Sequence, residues 1–357
     1  MTSESIPVID CSPLFNSLEW DSNECAAVIA KIHAAFSTWG VFTLTGTNAI
    51  PPSLAEETRD VMNKFFELPL ERKMALHLKD GGWAWRGYMP WGGEGTKGNI
   101  DQKEGFYGGS EIGDGHPMKG MPTFGGNRFP DGELPEMRGL VLEYIDKVTE
   151  VGLTISDAMS VGLGLDRKEV KRRLLDPEPI QLFRSFKYSG RHGVDSCGIG
   201  EHSDFGFLTI LSQNATGLQV FSPSKEWVDV PFIPDSYVVN VGDILDRLTH
   251  GLYISPLHRV LTPQPNSNRL SIPFFFDPAW NAEIKPLPFP KKDNETPTPT
   301  PAAIERWNRN STFKDLQGIW GQYLGVKVQK IFPDLSLPEF LAVSRPSGRH
   351  LVEIRRD

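Results

Sequence analysis

The sequence predicts a mainly β protein with flanking helices, on three observations. From Ile180 onward, short apolar runs follow one another at 180–188, 205–213, 217–222, 226–230, 236–242, 257–262 and 269–276, separated by Gly, Pro, Asn and Ser. Helical patterns gather instead at the two ends of the chain. The 29 Pro and 34 Gly imply many turns. Many short strands with little helix between them read as a sandwich or barrel, of which a jelly roll is one solution.

In chain order, "IPVID" (6–10) reads as a short strand. "SNECAAVIAKIHAAFSTWG" reads as an amphipathic helix with Ser22 as its cap and Gly40 as its stop. "VFTLTG" (41–46) is a second strand and 53–68 a second amphipathic helix. The Gly- and Trp-rich stretch 81–99 fits neither period and reads as a loop. A long helical pattern runs from about Leu134 to Leu165, followed by a short charged one at 166–175. After the strand series, the Pro/Thr-rich segment 286–301 is a connector, and 312–332 is helical again. No internal repeat is present. The expectation is one catalytic domain over 1–357, with a mixed helix and strand region at 5–125, a β core at 180–280 and a C-terminal helix at 302–335 packed on it.

The formal charge of −8 argues against a nucleic-acid partner, which needs a basic face to displace counterions. Cys11, Cys25 and Cys197 are odd in number, widely spaced and form no CxxC, so neither a disulfide framework nor a thiolate metal site is indicated. A reducing, cytoplasmic location is expected, as is a monomer without a membrane partner. The N-terminus has neither a basic leader nor a long apolar stretch, and nowhere do eighteen apolar residues run together. No P-loop, HExxH or GxSxG occurs.

"GIGEHSDFGFLTILS" (198–212) holds a histidine and a carboxylate two apart. With eight histidines and 45 acidic residues in 357, one such pair is expected by chance. On a strand, however, His202 and Asp204 share a face and Glu201 points away. Two histidines and one carboxylate on one face form the ligand set of non-haem iron(II) oxygenases. Of the histidines downstream, His250 sits in the turn-like "LTHGLY", His350 lies near the C-terminus, and His258 falls in the strand "PLHRVLTP". If 257–262 and 269–276 form a hairpin with Thr262 opposite Arg269, then 258 faces 273, and His258, Arg269, Ser271 and Phe275 share a face. A guanidinium and a hydroxyl beside a metal suit the far carboxylate of a small dicarboxylic acid. Two further Arg-x-Ser pairs, at 309/311 and 345/347, lie outside the strand series.

Taken in order, "IPVID", "GVFTLTG", "FFELPLERK", "RGYMPWGGE", "DQKEGFYGG", "GIGEHSDFGFLTIL", "GLQV", "VVNVGDIL", "LHRVLTP" and "RLSIPFFFDP" resemble the isopenicillin N synthase-like branch of the iron(II)- and 2-oxoglutarate-dependent dioxygenases. The resemblance runs from about residue 5 to about 335 and is densest at 198–278. It implies a double-stranded β-helix core of jelly-roll type. It implies iron(II) on His202, Asp204 and His258, and 2-oxoglutarate on Arg269 and Ser271. The family's Asn-x-Tyr-Pro element falls on "FKYSG", so Tyr188 matches as a partner of the cosubstrate, while Phe186 and Ser189 depart from it. Arg184 matches an arginine frequent in the family and is expected near the pocket, where Phe275 takes a position used for substrate contact. Phe106 and Tyr88, with Trp83, Trp85 and Trp91, are candidates for an aromatic pocket wall or lid.

The activity so implied is oxidation of a C–H bond in a small organic molecule, by hydroxylation, desaturation or a related outcome, with dioxygen consumed and succinate and carbon dioxide released. Ascorbate is a possible support for the iron. Three alternatives stand beside it: an iron-dependent oxidase of the same fold that uses no 2-oxoglutarate, a non-catalytic binding protein that kept the fold, and a jelly-roll metal hydrolase. The last leaves Arg269 and Ser271 without a purpose.

Overall fold

The computed structural model describes residues 4–16, 20–190, 197–264, 266–290, 298–310, 318–331, 340–345 and 348–353. The N-terminal third contains β1 (Val8–Asp10), α1 (Ser12–Asn16), α2 (Asn23–Thr38), β2 (Val41–Thr45), α3 (Pro52–Glu67) and α4 (Leu70–Met74). It continues with β3 (Gly87–Met89), the small ribbon β4 (Gly95–Thr96) and β5 (Asn99–Ile100), and β6 (Glu104–Gly109). Ser22 caps α2 as its sequence suggests, its side chain accepting from the Cys25 amide. Gly40 stops that helix with φ +70°, and a Cβ there would lie 1.9 Å from the Ile254 carbonyl oxygen, so no other residue fits the turn. The stretch 81–99 is more ordered than its composition suggests, because β3 pairs with β6 and extends a large sheet.

The long helix α5 (Pro135–Gly162) is followed by a π turn at Lys171–Leu175. Then come β7 (Ile180–Ser189), β8 (Cys197–His202), β9 (Leu208–Gln213), β10 (Leu218–Phe221), β11 (Trp227–Asp229), β12 (Tyr237–Val241), α6 (Asp243–Leu248), β13 (His258–Leu261) and β14 (Asn268–Asp277). The C-terminal part supplies α7 (Pro301–Asn310), α8 (Trp320–Ile331) and a hairpin of β15 (Phe340–Arg345) and β16 (Gly348–Glu353). Two helices therefore occupy the region read as one, and 311–317 and 332–335 lie outside the described residues.

Two sheets form a double-stranded β-helix. The larger has the order β1-β2-β12-β9-β14-β7-β6-β3 and the smaller β11-β10-β13-β8. The predicted hairpin between 257–262 and 269–276 does not form. Strand β13 pairs with β10 and β8, whereas β14 pairs with β7 and β9 in the other sheet. The jelly-roll winding sends β13 and β14 to opposite sheets, and a hairpin register presupposes that they are neighbours. The face assignment nonetheless holds, because the inner faces of both sheets border one cavity.

Alternation explains the rest of the core. On β7, Leu182, Arg184, Phe186 and Tyr188 line the cavity, while Phe183 and Ser185 turn to the opposite layer. That outer layer is α5, which packs on β14 and between α2 and α3. Gly152 of α5 lets the Phe276 ring approach, since a Cβ would lie 2.9 Å from it. With both faces buried, β14 reads as a nearly unbroken apolar run, "RLSIPFFFD". Pro273 cannot donate to a ladder, and the pairing with β7 skips Ile272 and Pro273.

Candidate active site

The cavity between the sheets encloses about 510 Å³. His202 is the last residue of β8, and β13 begins at His258 directly opposite it in the antiparallel ladder. Their rings lie 4.2 Å apart, centroid to centroid. The register shifts twice beyond this pair, a bulged irregularity of the kind that re-aims side chains at strand ends. Asp204 lies past the end of β8, in the link just before the bend at 205–207 that leads to β9, so loop geometry rather than strand parity brings it alongside His202. Glu201 points outward and pairs with Lys97 at 2.9 Å.

Nitrogen and oxygen atoms of His202, Asp204 and His258 all lie within 4.8 Å of one another. Each imidazole is held the same way. His202 Nδ1 lies 2.7 Å from the Gly200 carbonyl oxygen and His258 Nδ1 3.2 Å from that of Pro256. A carbonyl only accepts, so Nδ1 carries the proton in both rings and both Nε2 lone pairs are free. Asp204 Oδ1 faces them, 4.0 Å from His202 Nε2 and 3.6 Å from His258 Nε2. Its Oδ2 accepts from Thr209 Oγ1 at 2.5 Å and Asn240 Nδ2 at 2.9 Å.

Burial would raise the Asp204 carboxyl, but the two imidazoles and these hydrogen bonds outweigh it and hold the group below its ordinary value. The His202 imidazole is pushed down to about 3, by burial first and then by His258. One anion and a neutral ring with an open lone pair are what a divalent cation requires.

Across the cavity, Arg269 is 1% exposed. Its Nη2 donates to Gln213 Oε1 at 3.0 Å and its guanidinium lies over the Tyr188 ring, its cross-strand partner on β7. Nε and Nη1 are buried without a protein partner. A buried cation with two unused donors is costly unless an anion meets it. Ser271 and Phe275, two and six residues on, line the same cavity, as do Tyr188 and Arg184.

Two of the expected pocket residues lie elsewhere. Tyr88 donates to Glu104 at 2.8 Å and packs on Phe65, and Phe106 packs among Phe65, Phe129 and Phe183. Both belong to the core outside the cavity. Strand parity is the reason: Tyr107 beside Phe106 faces inward, and Trp85 is the aromatic of the 81–99 stretch that does the same.

Several cavity residues escaped the sequence reading, namely Glu94, Lys103, Tyr107, Asn240 and Lys327, as did Gln213, which holds Arg269. Of these, Asn240 carried a signal, as a lone polar residue in the apolar run "YVVNV". Helix α8 reaches the cavity through Lys327, Lys330 and Ile331, and its fully buried Trp320 stacks on Phe205 at 5.8 Å, one residue past Asp204. Among the described residues, no helix is long and apolar enough to cross a membrane.

Comparison with known proteins adds an independent line. Residues 6–132 match the family described as non-haem dioxygenase in morphine synthesis N-terminal, and residues 178–278 match the 2OG-Fe(II) oxygenase superfamily. The chain is 34% identical to a probable iron/ascorbate oxidoreductase of Dictyostelium discoideum, over 94% of this chain and 97% of that one. It is 32% identical to a 1-aminocyclopropane-1-carboxylate oxidase of Dictyostelium mucoroides, over 93% and 96%. Among solved structures, a full-length Neurospora crassa protein crystallised in complex with alpha-KG and thymine superposes with a TM-score of 0.70 at 25% identity, covering 92% of this chain and 97% of that one.

Proposed function

The chain belongs to the 2OG-Fe(II) oxygenase superfamily, and from that premise we propose that it oxidises a C–H bond of a small organic molecule at iron(II) held by His202, Asp204 and His258. The observation that carries this reading is the pair of imidazoles with Nδ1 tied to backbone carbonyls and Nε2 facing Asp204 Oδ1. The donor set of two neutral nitrogens and one carboxylate oxygen suits iron(II) and leaves coordination positions for cosubstrate and dioxygen. The orphaned Nε and Nη1 of Arg269 suit the distal carboxylate of 2-oxoglutarate, with Ser271 and Tyr188 as its neighbours.

When bound, iron and 2-oxoglutarate supply the oxidising power, with dioxygen reduced and the cosubstrate converted to succinate and carbon dioxide. The protein supplies position. Thr209 and Asn240 fix the rotation of the Asp204 carboxylate so that one oxygen serves the metal. Gln213 fixes Arg269. Phe275 and Arg184 border the space left to substrate.

We read the whole chain as one catalytic unit, because β2, the 93–96 segment, the strands of both sheets and α8 all line the same cavity. Ascorbate is read as a reductant that keeps the iron divalent. The test is anaerobic addition of iron(II) and 2-oxoglutarate to the full chain, followed by air. A visible metal-to-ligand charge-transfer band and succinate release are expected. The same-fold oxidase that needs no 2-oxoglutarate remains the second reading, favoured by the 1-aminocyclopropane-1-carboxylate oxidase relative. Iron binding without band or succinate would establish it in place of the first.

A further inference from the structure

Outside the residues read as holding iron and cosubstrate, the cavity is lined by four basic side chains, Lys103, Arg184, Lys327 and Lys330, and two acidic ones, Glu94 and Asp101. Both acids are already engaged. Glu94 lies 3.1 Å from Lys103 Nζ and accepts from the Tyr107 hydroxyl at 2.5 Å. Asp101 lies 3.2 Å from the same ammonium and accepts from Thr96 Oγ1 at 3.2 Å. Lys103, 4% exposed, thus sits between two carboxylates with the Phe186 ring 4.1 Å away. This knot offers no open acceptor charge to a ligand.

Arg184 is in the opposite situation. It is 2% exposed, and its Nη1 donates to the carbonyl oxygens of Gly108 and Phe183 at 3.2 and 2.9 Å. Its guanidinium lies against the rings of Trp85 and Tyr107, at 4.5 and 4.1 Å. Nη2 is sealed from solvent and has no protein partner. Lys327, on the cavity side of α8, rests over the Phe205 ring at 5.1 Å, with no carboxylate in ion-pair distance among the described residues. Iron(II), Asp204, Arg269 and a dianionic cosubstrate cancel one another. What remains of the lining carries three cations beyond the Lys103 knot, whose own net charge is one negative, a surplus of two positive charges, one of them on the solvent-exposed and therefore screened Lys330.

Resting on the dioxygenase reading of this cavity, we propose that the substrate is an organic acid without an adjacent ammonium, its carboxylate seated on Arg184 Nη2 with Lys327 as a second cation, and its apolar body among lining residues such as Leu182 and Phe275. Unpaired buried donors select an oxyanion. The rings of Trp85 and Tyr107 on the guanidinium confine approach to its plane, which suits a planar carboxylate better than a tetrahedral phosphate. An α-amino acid would bring an ammonium to a wall whose two carboxylates are both committed.

The test is anaerobic titration calorimetry on the full chain loaded with iron(II) and 2-oxoglutarate, using matched acid and amide pairs with aliphatic, phenyl and bicyclic bodies. Phenylalanine and 2-phenylethyl phosphate complete the panel. The expected result is a subset of acids binding at least about tenfold more tightly than their amides, than phenylalanine and than the phosphate. Arg184→Gln is expected to abolish that preference and Lys327→Met to reduce it, with the iron–cosubstrate band retained in both. Because Arg184 is a packed residue, the Lys327 variant serves if Arg184→Gln fails to fold. Equal binding of acids and amides, preference for the amino acid or the phosphate, no binding of any acid, or an unchanged preference in the variants would overturn the proposal. Absence of the band in the wild type overturns the iron–2-oxoglutarate reading instead, and the acid preference is then still read from the same heats.

Discussion

Asn240 and Thr209 stand opposite each other on β12 and β9, and both donate to the same oxygen of Asp204. Neither residue touches the histidines through a hydrogen bond of its own. Their effect is to consume Oδ2, so that Oδ1 alone faces the two Nε2 atoms. A carboxylate held in this way loses little freedom when a cation binds, which is the physical content of a preorganised ligand.

Removing both donors while keeping the shape of the strands should therefore weaken the metal site without unfolding it. For the double variant Thr209→Val, Asn240→Leu, we expect iron(II) affinity to fall by about 10- to 100-fold. Anaerobic iron titration followed by the charge-transfer band measures this, and circular dichroism checks the fold. Wild-type affinity in the double variant would show that the cross-strand pair does not position Asp204.

Arg269 presents two buried nitrogens with no protein partner, while Gln213 and the Tyr188 face fix the rest of the group. Replacing it with Met keeps the bulk and deletes the charge. The dissociation constant for 2-oxoglutarate is expected to rise by about 100-fold or more, equivalent to ~2.7 kcal/mol, with iron affinity nearly unchanged. Calorimetry with each ligand in turn separates the two. Equal losses in both would mean that the variant has collapsed the cavity rather than removed a single contact.

The way the sequence succeeded and failed is itself physical. His202, His258, Arg269 and Ser271 could be placed on the cavity side because polar residues interrupt apolar strands and a strand has only two faces, whereas Asp204 reaches the cavity from beyond the end of β8. The pairing partner of β13 was not legible, because the winding sends β13 and β14 to different sheets and nothing local records that choice. The cavity face survived the wrong register, since inward residues of both sheets meet in the same space. Lys327 lies well past β14 in the chain, on a helix whose docking depends on Trp320 and Phe205, so no spacing argument reaches it. Phe106 was lost to parity, one residue from the inward-facing Tyr107.

That parity makes Phe106 a test of core against cavity. Its ring is fully buried among Phe65, Phe129 and Phe183, outside the cavity wall. Phe106→Ala should cost about 3–5 kcal/mol of folding stability, through lost transfer energy and the void left behind. The variant should keep its dissociation constant for 2-oxoglutarate at temperatures where it remains folded. Denaturant melts and ligand titration on one preparation measure both, and a small stability change with a large loss of cosubstrate binding would return Phe106 to the pocket.

Asp277, at the end of β14, is fully buried, with Oδ1 accepting the Phe207 amide at 2.9 Å and Oδ2 unpartnered. Burial pushes its carboxyl from 3.8 up to about 7, against the opposing effect of that hydrogen bond. The folded chain thus holds this proton to a higher pH than the unfolded chain does. Its contribution to stability is complete below about pH 4 and drains away as pH rises to about 7. Asn at this position retains the acceptor and cannot ionise. Metal-free Asp277→Asn should therefore gain on the wild type as pH rises from 5 to 8, at up to roughly 1.4 kcal/mol per pH unit below pH 7. Asp243, whose carboxyl burial also raises to about 7, is common to both proteins and cancels from the difference. Denaturant melts at pH 5, 6.5 and 8 provide the measurement, and parallel curves for the two proteins would mean that Asp277 does not ionise in this range.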